Sequence, residues 1–560
     1  MDNTAIADQF SLLAKLMDIH GENSFKTRTY SSAAFNIEKL PVQLKDIPRE
    51  KIFRIRGIGE SLGHKIIEML DTGKLIILEE WMQKTPAGVI EMLNIKGVGP
   101  KKIHIIWEKM GIESIGELLY ACNENRLTLY KGFGEKTQNN IRESIEFYMQ
   151  HQGQFLFSEA ESVFPQVRSY LEKIFTPERV RVTGAYRRQN PVIGEMEFVI
   201  LENNNLIKNK FITAQPPELL EEKENTLLYQ LNNGLKLRLY TGRGNREEKL
   251  FLTTGSPEFT GSFMKTFPQV TFTNESDEDE NIFKAFNIPF IHPCLRESGA
   301  IIEKARKDTL PQLIQPGDIK GLIHSHSNWS DGVNTIEEMA DELIKRGFEY
   351  LVISDHSRSA FYANGLNEER IKEQHRYIDE LNARLKPFRI FKSIECDILN
   401  DGSLDYSDKI LSTFDLVISS VHSNLKMTEE KAMTRLLNAI KNPYTFILGH
   451  MTGRLLLSRN GYPVNHKEII DACSKYHVVI ELNAHPVRLD MDWKYIDYAI
   501  EKGVFISIDP DAHNLNGFDD IRYGVLAAQK GGLTKEQNLS SFTLKQFEDW
   551  RAKIKAVKKL

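Results

Sequence analysis

Gly321-Leu322-Ile323-His324-Ser325-His326-Ser327-Asn328-Trp329-Ser330-Asp331-Gly332 is a short apolar run that ends in two alternate histidines and a turn closed by Asp-Gly. Alternate residues share one face of a strand, so His324 and His326 can grip one ion together while Asp331 returns toward it from the turn. The arrangement recurs. Tyr350–Ile353 leads to Asp355 and His356, Phe391–Ile394 to Glu395, and Asp415–Val421 to His422. Thr445–Gly449 leads to His450, Val478–Ile480 to Glu481, and Val504–Ile508 to Asp511 and His513. A lone histidine at a strand end is more often a hydrogen-bonded core residue than a ligand. Seven runs with the same ending are not explained that way. They alternate with amphipathic stretches such as 336–346 and 368–385, which predicts a parallel sheet. This many predict a seven-stranded TIM-like (βα)7 barrel, in which the C-terminal strand ends converge on one site.

The 560 residues allow three or four domains, and the composition is that of an ordinary globular protein. The net charge of −5 means that any nucleic-acid binding must come from local patches. Cys122, Cys294, Cys396 and Cys473 have no paired spacing, which argues for a reducing compartment and against disulfides or a zinc ribbon. The N-terminus lacks a signal pattern and no apolar run approaches transmembrane length, so a cytoplasmic location, a monomer and no membrane partner are expected.

Residues 1–150 read as helices punctuated by a repeat. Arg56-Gly57-Ile58-Gly59, Lys96-Gly97-Val98-Gly99 and Lys131-Gly132-Phe133-Gly134 each precede an amphipathic stretch with basic residues near its start: Lys65, Lys101 with Lys102, and Lys136. A Gly-x-Gly hairpin that opens a helix leaves backbone N–H groups free for a phosphate and lets a DNA backbone approach closely. One copy is as well explained by a tight turn; three copies favour DNA.

The residues from Gly321 onward resemble the PHP (polymerase and histidinol phosphatase) metallohydrolase domain, in the version fused to bacterial family X DNA polymerases. Gly453–Tyr462, Glu481–Trp493 and Asp511-Ala512-His513 carry the likeness. It implies nine metal ligands, which fall on His324, His326, Asp331, His356, Glu395, His422, His450, Asp511 and His513, and three divalent ions, commonly Mn2+ or Zn2+. Mixed imidazole and carboxylate donors independently suit zinc, manganese or iron over calcium. The N-terminal repeats look like helix-hairpin-helix motifs, which hold DNA by its backbone. Lys65 occupies the place of the lysine that family X repair polymerases use as a lyase nucleophile; a phosphate contact is the competing role.

Residues 151–310 resemble the palm and thumb of that family, altered at the metal positions. Thr183-Gly184-Ala185-Tyr186-Arg187-Arg188 and Gly194-Glu195-Met196-Glu197 stand where the family has Gly-Ser…Arg-Arg and Gly-Asp-x-Asp, and Lys236 stands where it has a third aspartate. Each Asp-to-Glu change moves a carboxylate by roughly 1.5 Å in a site that needs near-ideal octahedral geometry at about 2.1 Å. Lys236 adds a positive charge where a dication would sit. The palm is therefore expected to hold no Mg2+, with the Lys236 ammonium paired to Glu195 or Glu197. The acidic run Asn274–Glu280 reads as helix capping, and 310–317 as the linker into a C-terminal barrel spanning 318–560.

The expected function is metal-dependent phosphodiester hydrolysis on gapped, nicked or 3′-ended DNA. The resemblance implies 3′-to-5′ exonuclease activity, with abasic-site cleavage or 3′-end cleaning as extensions. Two alternatives stay open: a gap-filling family X polymerase with PHP proofreading, and a small-molecule phosphoesterase like histidinol phosphatase. Glu395 is the candidate bridging ligand, and Asp331 and Asp511 are candidates for positioning a water. Arg358, Arg454, Arg459 and Arg488 are candidate phosphate clamps or structural ion pairs. Asp355, Glu481, Asn483 and His485 are candidate supports for the ligands.

Overall fold

The computed structural model describes residues 1–560 except 56, 212–215, 243, 271 and 273–278. Arg56 of the first hairpin and residues 274–278 of the acidic run thus lie outside the described residues. The chain forms two compact units, Met1–Gln152 and Gly153–Leu560.

The first unit is helical. Its three hairpins are built alike: Gly57, Gly97 and Gly132 adopt φ of 85°, 83° and 97°, which a side chain would strain. Gly59, Gly99 and Gly134 then serve as N-caps of Glu60–Thr72, Pro100–His104 and Glu135–His151 with no side chain capping the helix. A Cβ placed at any of these three caps would meet nothing within 4 Å, so the first-turn N–H groups face open space. Between each pair of glycines, Ile58, Val98 or Phe133 plugs into the helical core.

In the second unit, five strands form the sheet of the region read above as a palm: β1 Val180–Thr183, β2 Glu195–Ile200, β3 Glu218–Lys223, β4 Thr226–Gln230 and β5 Lys236–Tyr240. Their order is β1-β2-β5-β4-β3, with β2 and β5 parallel. Downstream come β6 Gly321–Ser325, β7 Tyr350–Ile353, β8 Arg389–Lys392, β9 Glu395–Asp397, β10 Ile418–Ser420, β11 Ile447–Leu448, β12 Val479–Asn483 and β13 Ile506–Asp509. All their pairings are parallel.

These strands do not form the single seven-stranded sheet expected from the sequence. They divide into a three-stranded sheet, β8-β7-β6, and a five-stranded one, β9-β10-β11-β12-β13, joined by the isolated bridges Ser325↔Ala512 and His356↔Glu395. The run 389–397 is broken at Ser393-Ile394. The breaks fall at the ligand-type residues. His324, at φ 58°, lies where the β6–β7 register slips between Leu322 and Ser325, and Asp511, at φ 53°, lies just past β13. Left-handed backbone costs a non-glycine residue ~1–3 kcal/mol and persists where the surroundings impose it, so regular laddering yields there to side-chain placement.

Both faces of these strands are buried, as a parallel sheet requires. Leu322, Leu351 and Ile390 pack toward the covering helices, while Ile323, Tyr350, Val352 and Phe391 form a second cluster sealed by Phe547 and Trp550 of the last helix, Leu544–Lys558. The helix Ile336–Lys345 starts at a capping box in which Thr335 and Glu338 satisfy each other's backbone N–H groups.

Segment 310–317 is not a free linker. Ile314 is buried, its N–H donates to Leu533 O at 3.0 Å, and its carbonyl accepts from Gln529 Nε2 at 2.7 Å. Lys530, also buried, donates to Arg188 O, Asn190 Oδ1 and Glu297 Oε1 at 2.9, 2.8 and 2.6 Å, tying palm and PHP-like strands into one unit. The acidic run is corrected likewise at Asp279. Its carboxylate makes no cap hydrogen bond; it is fully buried between Arg296 and Arg187, with Arg187 Nη2 at 3.1 Å. Burial opposes the charge, but the two guanidiniums hold the Asp279 carboxyl down at about 2.

Candidate metal centre

The ends of these parallel strands, and the turns just beyond them, converge on one place. His324 is the last residue but one of β6 and His326 follows that strand, His356 comes three residues after β7, and Glu395 opens β9. His422, His450 and Asp511 come two residues beyond β10, β11 and β13, and His513 four beyond β13. Three groups of donor atoms are close enough to share an ion: His326, Asp331, His356 and His513; His324, His326 and Asp511; and His356, Glu395 and His422. His450 joins the third through Nε2, 2.9 Å from Glu395 Oε1. His326 and His356 belong to two groups each, so the clusters are contiguous. All nine residues singled out from the sequence meet here.

Glu395 is the hub. Its Oε1 lies 2.9, 3.1 and 3.3 Å from nitrogens of His450, His422 and His324, and its Oε2 lies 3.0 Å from His356 Nδ1. Burial alone would raise this carboxyl, yet the imidazoles of His422, His324 and His356 hold it well below the usual range. Asp511 behaves alike through His324 and His326. In return, against the penalty of burial, Glu395 and Asp397 push His422 up to about 10, and Asp331 and Asp511 push His513 up to about 9. His326 goes the other way, to about 3, because it is buried between His356 and His513.

The donor set fits divalent ions. Several buried polar atoms make no hydrogen bond, among them His324 Nε2, His356 Nδ1 and Glu395 Oε2, although they face one another. Unsatisfied buried donors and acceptors are rare unless something binds them. The cluster opens on one side: His324, His326, Glu395 and His450 are sealed, whereas Asp331 and His513 are 31% and 39% exposed.

Around this centre Glu481 accepts a hydrogen bond from His324 Nδ1 and is braced by Asn483 Nδ2 at 2.9 Å and His450 N at 3.2 Å. Asp397 does the same for His422 Nδ1 at 2.5 Å. Asp397 was missed from the sequence; its signal was position, two residues beyond Glu395 on the same strand face. Asp355 accepts from Ser327 N and Oγ, Ser330 Oγ and Gln374 Nε2, holding the turn that carries Asp331. His485 touches no ligand; its Nδ1 accepts from Val487 N.

The four arginines separate. Arg488 points to the centre, its Nε 3.7 Å from Asp511 Oδ2. Arg454 is held by Asp492 and by the carbonyls of Arg488 and Leu489, and Arg459 by the carbonyl of Gly453. Arg358 leans on Asp405, with half its side chain exposed.

The palm contrasts with this centre. Arg238, not Lys236, takes Glu195, donating from Nε at 2.5 Å and from Nη2 at 2.9 Å. Lys236 is the register partner of Glu195, but the planar guanidinium fork from two residues further on matches both carboxylate oxygens. Glu197 accepts from Tyr240 Oη at 2.9 Å and from Ala185 N at 3.0 Å, against Gly184, where any Cβ would collide with its carboxylate. All four oxygens thus already accept hydrogen bonds. Arg187 donates to Thr254 Oγ1 at 2.7 Å and Arg188 to Thr254 O at 2.7 Å. In the helical unit Lys65 Nζ donates to Ser61 Oγ at 3.3 Å, Lys102 Nζ to Gly97 O at 2.8 Å, and Lys101 and Lys136 are exposed.

Comparison with known proteins agrees with these parts. Residues 1–75 match the helix-hairpin-helix domain, 89–146 the SAM-like helix-hairpin-helix tandem, and 323–485 the PHP domain. The chain is 32% identical to the DNA polymerase/3′-5′ exonuclease PolX of Bacillus subtilis (strain 168), over 96% of this chain and 97% of that protein. A probable phosphatase of Caldanaerobacter subterraneus subsp. tengcongensis is 29% identical over 29% of this chain and 60% of its own length. One from Thermoanaerobacter sp. (strain X514) is 25% identical over 39% of this chain and 89% of its own. Among the described residues no helix is long and apolar enough to cross a membrane.

Proposed function

Since the chain belongs to the bacterial family X DNA polymerases that carry a PHP domain, we propose that it is a DNA-repair metallonuclease whose chemistry resides in the PHP centre and whose palm no longer polymerises. In this reading 1–150 holds DNA through helix-hairpin-helix motifs, 151–310 is a palm and thumb that presents the DNA end, and 318–560 hydrolyses phosphodiesters from the 3′ end. The observation that carries it is the contrast in partners: Glu395 faces imidazoles and has an oxygen left over, whereas Glu195 is closed by a guanidinium.

His324, His326, Asp331, His356, Glu395, His422, His450, Asp511 and His513 would hold the metal ions, three in number, with Mn2+ or Zn2+ the best match to the donors. Bound there, the ions supply a water activated at neutral pH and positive charge for the phosphoryl and leaving oxygens. The chain's own side chains do the rest. Glu481 and Asp397 fix the tautomer and tilt of His324 and His422, so that each ring presents Nε2 to Glu395. Arg488, beside Asp511 on the partly open side, meets the negative charge of an entering phosphodiester. The buried floor excludes bulk water, and Asp331 and His513 are the donors a substrate meets first.

The test is a gapped duplex with a 5′-labelled primer, incubated with Mn2+ and all four deoxynucleotides beside a His324→Ala/His326→Ala variant. Shortening that disappears in the variant supports the proposal. Primer elongation, above all if it increases when the PHP centre is disabled, would establish an active polymerase with PHP proofreading in its place.

A further inference from the structure

The most exposed aromatic side chains of the PHP region are two neighbours. Phe361 and Tyr362 are 86% and 65% exposed, and among the described residues beyond Pro316 no other aromatic side chain is as open. They are neighbours in the short turn Phe361–Ala363, with ring centroids 6.0 Å apart and edge to face.

The turn is not loose. Ala360 and Ala363, which bracket the pair, are buried. Gly365 packs so closely on Ser357 O that a Cβ there would collide with it, and Leu366 N donates to His356 O at 2.9 Å. Asn364 Nδ2 donates to Trp329 O and Ser330 O at 3.3 and 3.4 Å, and Arg370 Nη1 donates to Asn364 O at 2.8 Å. The two rings are therefore held out into solvent by a turn anchored on both neighbours of the metal centre, the His356 strand end and the Ser330-Asp331 turn. Tyr362 also stands within the field of the centre: partial burial and then the charges of Asp397, Glu395 and Asp331 push its phenol up to about 12. Asp331 belongs to the open side of the cluster, and Arg358, three residues before Phe361, is half exposed.

We propose that Phe361 and Tyr362 form a stacking platform for unpaired bases at the 3′ end of DNA, placing the adjoining phosphodiester at the mouth of the metal centre and making the enzyme prefer frayed or single-stranded ends. The inference rests on the nuclease reading and adds the form of its substrate. Every base has a π-face, so rings beside a phosphodiester site bind unpaired nucleotides without regard to sequence, with Arg358 and Arg488 to meet the backbone. Inside a duplex both faces of a base are covered by its stacked neighbours, and only the terminal pair leaves one open, whereas an unpaired strand can offer several. A platform of this kind therefore discriminates by structure and not by sequence.

The test compares the wild-type chain with Phe361→Ala/Tyr362→Ala, both loaded with Mn2+, on a 5′-labelled single-stranded oligonucleotide, a blunt duplex and thymidine 5′-monophosphate p-nitrophenyl ester. The ratio of kcat/KM for the single strand to kcat/KM for the ester should fall roughly tenfold or more, chiefly through KM, because stacking on aromatic side chains contributes about that much per base. The ratio of single strand to blunt duplex should fall with it, and Phe361→Tyr/Tyr362→Phe should restore both. Unchanged ratios would overturn the platform, as would an equal loss on the ester, which would mean that the turn only shapes the metal centre. A wild-type protein that cleaves the ester and leaves DNA intact would remove the nuclease reading and the platform with it, whereas an intact nuclease with unchanged ratios removes the platform alone.

Discussion

Two glutamates at comparable positions in their own sheets have opposite surroundings. Glu195, on β2 of the palm, is paired with Arg238, and Glu395, on β9 of the PHP region, is ringed by four histidines. A guanidinium cannot lose its proton in a protein and has no lone pair to offer, so the palm's charge compensation is permanent. An imidazole can release its proton and become a ligand, so the compensation around Glu395 can be exchanged for a divalent ion. The difference teaches that a carboxylate's partners, more than its presence, decide whether a site can take metal.

The largest effect expected from this comparison is on catalysis. Glu395→Gln should cut Mn2+-dependent shortening of a 3′ end by roughly a thousandfold, the scale on which losing one central electrostatic group acts. Glu195→Gln in the same assay should leave the rate unchanged. A matching loss in the palm variant would break the comparison, because it would put the palm carboxylate in the reaction.

The next effect is on stability and concerns the palm's fixed charges. Asp279→Asn removes the carboxylate that faces the buried Arg296, and breaking a buried pair in this way costs ~3–5 kcal/mol. The pH dependence has a definite sign. The folded-state carboxyl of Asp279 is depressed to about 2, against an ordinary value of about 4 in the unfolded chain. Its contribution is therefore complete above pH ~4 and is lost as pH falls toward 2. Denaturant titrations of wild type and variant should differ most near neutrality and converge in acid; a gap that stays constant down to pH 2 would mean that packing, and not charge, sets the cost.

A smaller effect sharpens the other side. Glu481→Gln can keep a hydrogen bond to His324 but removes the negative charge that orients and polarises that imidazole. Mn2+ affinity, read from activity against free Mn2+, should weaken about 10- to 100-fold. No change in affinity would reduce Glu481 to a spacer.

Most of the candidate metal centre was legible in the sequence because apolar runs lead into its donors, His324 with His326 and Asp511 with His513 sharing a run, and because the resemblance to the PHP domain implied the full set of nine. Asp397 and the bracing role of Asp355 depend on which side chain faces which across strands, which the local pattern carries weakly. The undivided barrel was expected because seven runs look equivalent on paper. The structure interrupts the regular ladder at His324, at Ser393-Ile394 and beyond β13, beside the donor residues, while backbone hydrogen bonds such as Ser393 N to Ile353 O and Ile418 N to Ile394 O persist. The expected partner of Glu195 is corrected by the structure: a strand-to-strand register pairs Glu195 with Lys236, and only fork geometry brings in Arg238 instead. Asp279 was lost inside a charge run, since sequence does not reveal which acid of several turns inward.

The smallest predicted effect bears directly on permanence. Arg238→Met removes the guanidinium from Glu195 at a site where both side chains are about a quarter or less exposed, so the stability cost should be only ~1 kcal/mol. If fixed charge is the whole barrier to metal in the palm, the variant should bind one more Mn2+ per chain than wild type in equilibrium dialysis. The geometry argues against this. Glu197 stays closed by Tyr240 Oη and Ala185 N, and Lys236 remains on the adjacent strand as the register partner of Glu195, bringing a second positive charge. The expected outcome is an unchanged Mn2+ count and no primer extension. An added ion would mean that one guanidinium alone separates this palm from a metal-binding one, and the contrast between the two glutamates would become one of degree.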